Sequence, residues 1–336
     1  MNLRMKKHLF GFLLFFTASS AMAQMTTGLT GVRDTSFSNP GAYRQVKKYH
    51  PNANLKLVEE FKLSTVQEKR DIKYCRVGNR DLALDAFYPK KKTKAPTPAI
   101  LLIHGGGWRS GNREQHIPLA QRLADLGYAC FTVEYRLSTE ALYPAAVHDL
   151  KSAVRWVRAN AKQFNLDTAK ITALGFSAGG QLAALLGATN KYPIFEGENC
   201  LSKVSSQVQA VVDIDGTLSF VHPESGEGND AKGISAATYW FGYPKKEKIA
   251  LWEEASPLNQ VGPTAPPFLF INSSVDRMHA GRDDFRKILD KHQIYSEVHT
   301  FPDSPHTFPL FDPWFEPMVK YIDNFLKKVY APKKKA

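Results

Sequence analysis

Apolar positions along this chain follow two alternating periods. Short runs rich in β-branched and aromatic residues occur at 82–88, 99–104, 129–135, 170–176, 208–214, 267–272 and 296–301. Between most of them lie stretches with helical spacing, at 115–126, 145–163, 178–188, 281–292 and 317–329. Most of the short runs are largely apolar, as expected of strands buried on both faces, while 296–301 is mixed. Strands alternating with amphipathic helices predict an α/β fold, a mostly parallel central sheet with helices on both faces, over residues 56–331. One interval, 216–261, breaks the rhythm with glycines, charges and the aromatics Tyr239, Trp240, Phe241 and Trp252. A long irregular stretch after a strand reads as a lid-like insertion or binding loop.

The ends have a different character. Residues 1–23 carry Arg4, Lys6 and Lys7, an apolar run over 9–16, and Ala21-Met22-Ala23. This predicts a secretory signal peptide cleaved after Ala23. The apolar run is too short for a bilayer span, so no membrane insertion is expected after its removal, and the mature protein is expected to be periplasmic or secreted. Residues 24–55 form a polar arm, ordered only if it docks on the body. Residues 332–336 are a basic tail.

At 43% apolar residues over 336 positions, the remainder is ample for one large core. The formal charge is +12. A basic balance suits an anionic polymer or is simply a basic soluble surface, and export argues against nucleic acid. Of the three cysteines, Cys130 lies in an apolar run and reads as core. Cys75 and Cys200 are able to pair in an oxidising compartment, which the sequence does not decide. No Cys/His cluster has metal-ligand spacing, so no metal is expected.

The chemistry concentrates at strand ends. Ser177 stands in Gly175-Phe176-Ser177-Ala178-Gly179-Gly180, between a strand and a helix. G-x-S-x-G in that setting is a nucleophile elbow: small neighbours permit a sharp turn that lifts the hydroxyl above the sheet at a helix N-terminus. His104-Gly105-Gly106-Gly107-Trp108 directly follows another strand. Consecutive glycines let backbone N–H groups approach a substrate, which assigns Gly106, Gly107 and Ala178 as oxyanion donors. The spacing of a dinucleotide or P-loop phosphate site is absent. His104 reads as a structural residue holding this loop. An acid and a base are expected later, in that order. Asp276 follows the run 267–272 and His306 follows the run 296–301, which makes them the expected acid and base. His279 and His299 compete for the second role and Asp303 for the first.

These residues, in this order, resemble the hormone-sensitive-lipase-like esterases of the α/β-hydrolase fold. The likeness runs over about 75–330 and includes His104–Trp108, Glu134-Tyr135-Arg136-Leu137, Tyr143-Pro144-Ala145-Ala146 with Asp149, the elbow, Asp276 and His306. More narrowly, Ser304–Phe308 followed by Phe311-Asp312-Pro313-Trp314-Phe315 is similar to exported bacterial carbohydrate esterases. Ser138-Thr139 departs from the Ala-Pro that lipase-like relatives carry. The resemblance implies a serine carboxylester hydrolase without a cofactor, removing methyl or acetyl esters from plant polysaccharide, with pectin the first expectation. Xylan acetyl or feruloyl esterase, a serine exopeptidase and a non-catalytic binding protein are the rivals. Trp108, Trp240, Phe308 and Trp314 are candidate sugar platforms beside the core reading each also has. Arg277, His279 and Arg282 are candidates for binding uronate carboxylates, against a plain solvated helix start.

Overall fold

The computed structural model describes residues 24–91 and 93–332. The leader expected over 1–23 and all but the first residue of the basic tail lie outside the described residues. The arm forms α1 (Asn39–Tyr49) and the short β1 (Lys56–Leu57). The body follows as β2 (Val66–Val77), β3 (Arg80–Pro89), β4 (Thr97–Ile103), α2 (Ile117–Asp125), β5 (Ala129–Val133), α3 (Ala145–Ala159), α4 (Ala161–Phe164) and β6 (Leu166–Phe176). Next come α5 (Ala178–Ala188) and β7 (Ala210–Ile214), then three short helices in the insertion: α6 (Ala236–Phe241), α7 (Ile249–Glu254) and α8 (Pro257–Gln260). The chain closes with β8 (Phe268–Asn272), α9 (Arg282–Lys291), β9 (Ser296–Thr300), β10 (Phe311–Asp312) and α10 (Phe315–Val329).

Eight strands form one sheet in the order β2-β3-β5-β4-β6-β7-β8-β9. The first two pairings, β2 with β3 and β3 with β5, are antiparallel, and the remaining five are parallel. Side chains alternate across the pleat. Leu101 and Ile103 of β4 therefore face a layer made with Leu150 and Val154 of α3, Leu182 of α5 and Phe285 of α9. Ile100 and Leu102 face the opposite layer, with Leu123 of α2 and Met318 and Ile322 of α10. Each such side chain taken fully out of water contributes roughly 1.5–3 kcal/mol. This is why the inner strands read as unbroken apolar runs.

The arm is docked rather than free. Ser38 caps α1 by accepting the Gly41 N–H, Ala42 is buried against Leu310 and Phe311, and β1 pairs antiparallel with β10. The arm is thus tied to the segment that follows His306. On the other side, Cys75 of β2 forms a disulfide with Cys200, with the two Cα atoms 5.6 Å apart.

Candidate active site

Ser177 sits where β6 ends and α5 begins, with φ 58° and ψ −122°. A non-glycine residue in that region is strained, and the surroundings hold it there. The Ser177 N–H donates to Ile214 O at 2.8 Å, and the elbow packs hard on the end of β4. A Cβ on Gly179 would lie 2.1 Å from Ile103 O, so only glycine fits.

His306 Nε2 lies 2.8 Å from Ser177 Oγ. Its Nδ1 lies 2.8 Å from Oδ2 of Asp215, not of Asp276. Asp215 follows β7 directly, at φ 53°, and its carboxylate is fully buried. Its Oδ1 accepts the Ser273 N–H at 2.8 Å, and the Ser273 hydroxyl donates to Oδ2. With an acceptor-only carboxylate at Nδ1, the imidazole carries its proton there and leaves Nε2 free to accept from the serine. Asp213, two residues earlier on β7, is also buried. Burial pushes its carboxyl well above the usual carboxylate range, opposed by the Gly216 N–H that its Oδ1 accepts at 2.9 Å.

The expected acid, Asp276, is therefore corrected. Its side chain is 99% exposed, and its nearest cationic partner is His279 at 3.9 Å. The reason is local. After β8 the chain turns at Ser273 to donate both its N–H and its hydroxyl to Asp215, while Ser274 N and Oγ bind Ser304 O at 3.3 and 2.8 Å. The β8 loop thus supports the acid and the histidine loop, and by Asp276 it has reached the surface.

Gly106 and Gly107 follow β4 with φ 118° and 60°. The loop starts in contact with the elbow: a Cβ on Gly105 would stand 3.1 Å from Ser177 Cβ. Ala178 opens α5, where the first N–H groups have no partner within the helix. The insertion closes this side, since a Cβ on Gly107 would lie 3.1 Å from Ala236 Cβ on α6.

Three of the four candidate aromatic platforms, Trp108, Trp240 and Phe308, are core residues, and Trp240 is wholly buried. Trp108 is 4% exposed; its ring stacks on Trp240 at 5.1 Å and its Nε1–H donates to Gln181 Oε1 at 2.8 Å. Trp108, at φ 56°, turns its ring into the buried core. Phe308 is wholly buried and packs on Phe301. Trp314 alone lines an opening. It forms a groove of about 440 Å³ with His306, Ser274, Asp303 and, from the arm, Val46 and His50.

The basic trio does not make a free cationic wall. Arg282 turns inward to Asn272 Oδ1 at 2.8 Å and to Asp283 at 2.9 Å. It shares a small cavity with His279, Glu224, Asp276 and Asp283. Arg277 stands 3.9 Å from Glu227. Burial raises the Glu227 carboxyl, partly offset by Arg277, Lys245 and His306. Glu227 went unnoticed in the sequence because the insertion has no period to place it. Asp215 did have a signal, an aspartate immediately past an apolar strand and before Gly216.

A serine elbow, an oxyanion loop and a late histidine on this sheet define the α/β-hydrolase fold. The chain belongs to the BD-FAE family, whose model matches residues 84–280. It is 30% identical to Esterase LipC of Mycobacterium tuberculosis over 68% of this chain and 57% of that one. The matched region spans about half to three-fifths of the curated relatives' own length. Among solved structures, an esterase of Thermogutta terrifontis in a propionate-bound form superposes with a TM-score of 0.64 at 25% identity, covering 81% of this chain and 97% of that one. A truncated carbohydrate esterase from gut microbiota gives 0.68 at 23% identity over 81% and 99%, a likeness of fold.

Proposed function

We propose that this protein is a serine carboxylester hydrolase that removes short acyl groups, acetyl first, from a carbohydrate. Ser177 Oγ attacks the ester carbonyl as His306 Nε2 takes its proton, and Asp215 steadies the imidazolium. The N–H groups of Gly106, Gly107 and Ala178 receive the developing oxyanion. His306 then protonates the leaving alcohol, and a water activated by the same nitrogen releases the acid.

One observation carries the substrate class: the groove at His306. His306, the base that protonates the leaving alcohol, is the residue of the catalytic set that lines this groove, and on that ground we assign the groove to the alcohol. Trp314 offers an apolar face and Ser274, Asp303 and His50 offer polar groups, a combination suited to a sugar ring. A short acyl group is supported by the tight contact of α6 with the oxyanion loop, and by likeness to an esterase with propionate bound.

Pectin de-methylation is the second reading, favoured by the basic charge, 12 − 3 = +9 once Arg4, Lys6 and Lys7 leave with the leader. It ranks lower because a methyl ester would send only methanol to the groove at His306 and leave Trp314 without a sugar ring to meet. Incubation with acetylated xylan and with methylated pectin, measuring acetate and methanol separately, separates the two. Acetate release abolished in Ser177→Ala supports the first reading; methanol release alone would replace it with the second. An exported, leaderless mature form is part of the proposal, supported by the Cys75–Cys200 disulfide, which suits an oxidising compartment. An intact leader on protein recovered from the cytoplasm would remove it.

A further inference from the structure

Three contacts join the arm to the oxyanion loop. The Asp34 carbonyl accepts the Gly111 N–H at 3.1 Å. Asn39 Nδ2 donates to Gln115 O at 3.0 Å, and the side chain of that same Gln115 accepts the Gly105 N–H at 2.7 Å. The third contact is Arg33. Its Nη2 reaches His104 Nε2 at 3.1 Å and Gly111 O at 3.0 Å. Its Nη1 reaches Tyr135 O at 2.8 Å and Glu140 Oε2 at 3.1 Å.

A guanidinium only donates, so the His104 Nε2 facing it must accept. The imidazole proton is then on Nδ1, which lies 2.8 Å from Gly105 O and donates to it. That carbonyl and the Gly106 N–H are the two ends of one planar peptide. Fixing the oxygen fixes the direction of the N–H and polarises it. Burial and the Arg33 charge both push His104 well below the ordinary histidine range, in keeping with an Nε2 that accepts from Arg33. His104 is fully buried and stacked on Tyr135 at 4.5 Å, leaving the ring no freedom to turn.

We infer that Arg33 of the arm is a positioning residue for the oxyanion hole, setting the His104 tautomer that aims the Gly106 N–H. The inference rests on the serine-hydrolase reading above. It makes the arm part of the active site rather than a surface strap.

The test combines kinetics with a readout independent of activity. In wild-type protein carrying ¹⁵N-histidine, His104 should show a protonated Nδ1 and a bare Nε2. A protonated Nε2 would overturn the inference even if the protein hydrolysed no ester, whereas inactivity with the expected tautomer would count against the function alone. With p-nitrophenyl acetate, R33A should lose about 10–100-fold in kcat with KM within about twofold, less than the 10²–10³ for a deleted donor. Its affinity for phenylboronic acid, whose adduct places an oxygen in the same hole, should fall by a similar factor. Added guanidinium should restore part of kcat, and R33K should lie between the two. Wild-type kcat in folded R33A, or a loss confined to KM, would overturn the role. If R33A does not fold, R33K and the wild-type imidazole signals decide it.

Discussion

His306 Nδ1 meets Asp215 Oδ2 at 2.8 Å across 91 positions of sequence. The acid comes from the end of β7, one strand earlier than the end of β8 where Asp276 stands. The sheet places β7 between β6, which carries Ser177, and β8. Asp215 and Ser177 therefore stand at the ends of adjacent strands, and the loop carrying His306 reaches over β8 to meet both. Ser273 and Ser274 of the β8 loop then hold the acid and the histidine loop in place.

Trp314 should read the alcohol and not the acyl group. Trp314→Leu keeps an apolar side chain for packing but removes the ring face. An aromatic contact of about 0.5–1.5 kcal/mol corresponds to a rise in KM of up to roughly tenfold for an acetylated oligosaccharide. Turnover of p-nitrophenyl acetate should change by less than about twofold. Equal losses on both substrates would mean that Trp314 only supports the fold.

Glu196 neutralises two cations inside the protein. Lys151 Nζ lies 3.2 Å and Arg155 Nη2 2.6 Å from its carboxylate, and both basic side chains are essentially buried. Removing the charge strands them, and breaking such a pair typically costs 3–5 kcal/mol. Because Glu196 keeps 29% exposure, a cost of roughly 2–4 kcal/mol is expected for Glu196→Gln in denaturant unfolding. Burial opposes the charged form of Glu196, but Lys151, Ser206 and Arg155 outweigh it and hold the carboxyl below its ordinary value of 4.5. A depressed folded value stabilises above the unfolded one and loses that contribution as pH falls through the folded one. The gap between wild type and variant should thus be widest near neutrality and narrow in acid. A gap that widened in acid would contradict the assignment.

The disulfide closes a sequence separation of 125. Reduction, or Cys200→Ser, should cost about 2–4 kcal/mol, measured as a shift in denaturant midpoint with and without reductant. No shift would mean that the edge strand β2 is held by its pairing with β3 alone.

Much of the fold was legible because the inner strands are buried on both faces. The run Ala99 to Ile103 is apolar at every position, so burial fixes its identity. β2 was not legible, because as an edge strand its first part reads Gln67-Glu68-Lys69-Arg70-Asp71, all exposed. α1 was missed for a similar reason: of its residues only Ala42 is buried, so no apolar stripe marks it. At the site, Ser177, Gly106 and Gly107 were marked by local turn chemistry, and His306 by its place after the last long strand run. The choice between Asp215 and Asp276 depends on which strand end the histidine loop reaches, a tertiary distance. Trp108 and Phe308 adjoin functional residues in sequence, yet their side chains point away from the opening.

The central claim is tested most directly by kcat for p-nitrophenyl acetate in Asp215→Asn and Asp276→Asn, beside wild type. Asp215→Asn should lose about 10³–10⁴-fold, because the amide no longer holds the tautomer that lets His306 accept the serine proton. Asp276→Asn should stay within about twofold. A large loss in Asp276→Asn with activity retained in Asp215→Asn would contradict the account and return the acid to the end of β8.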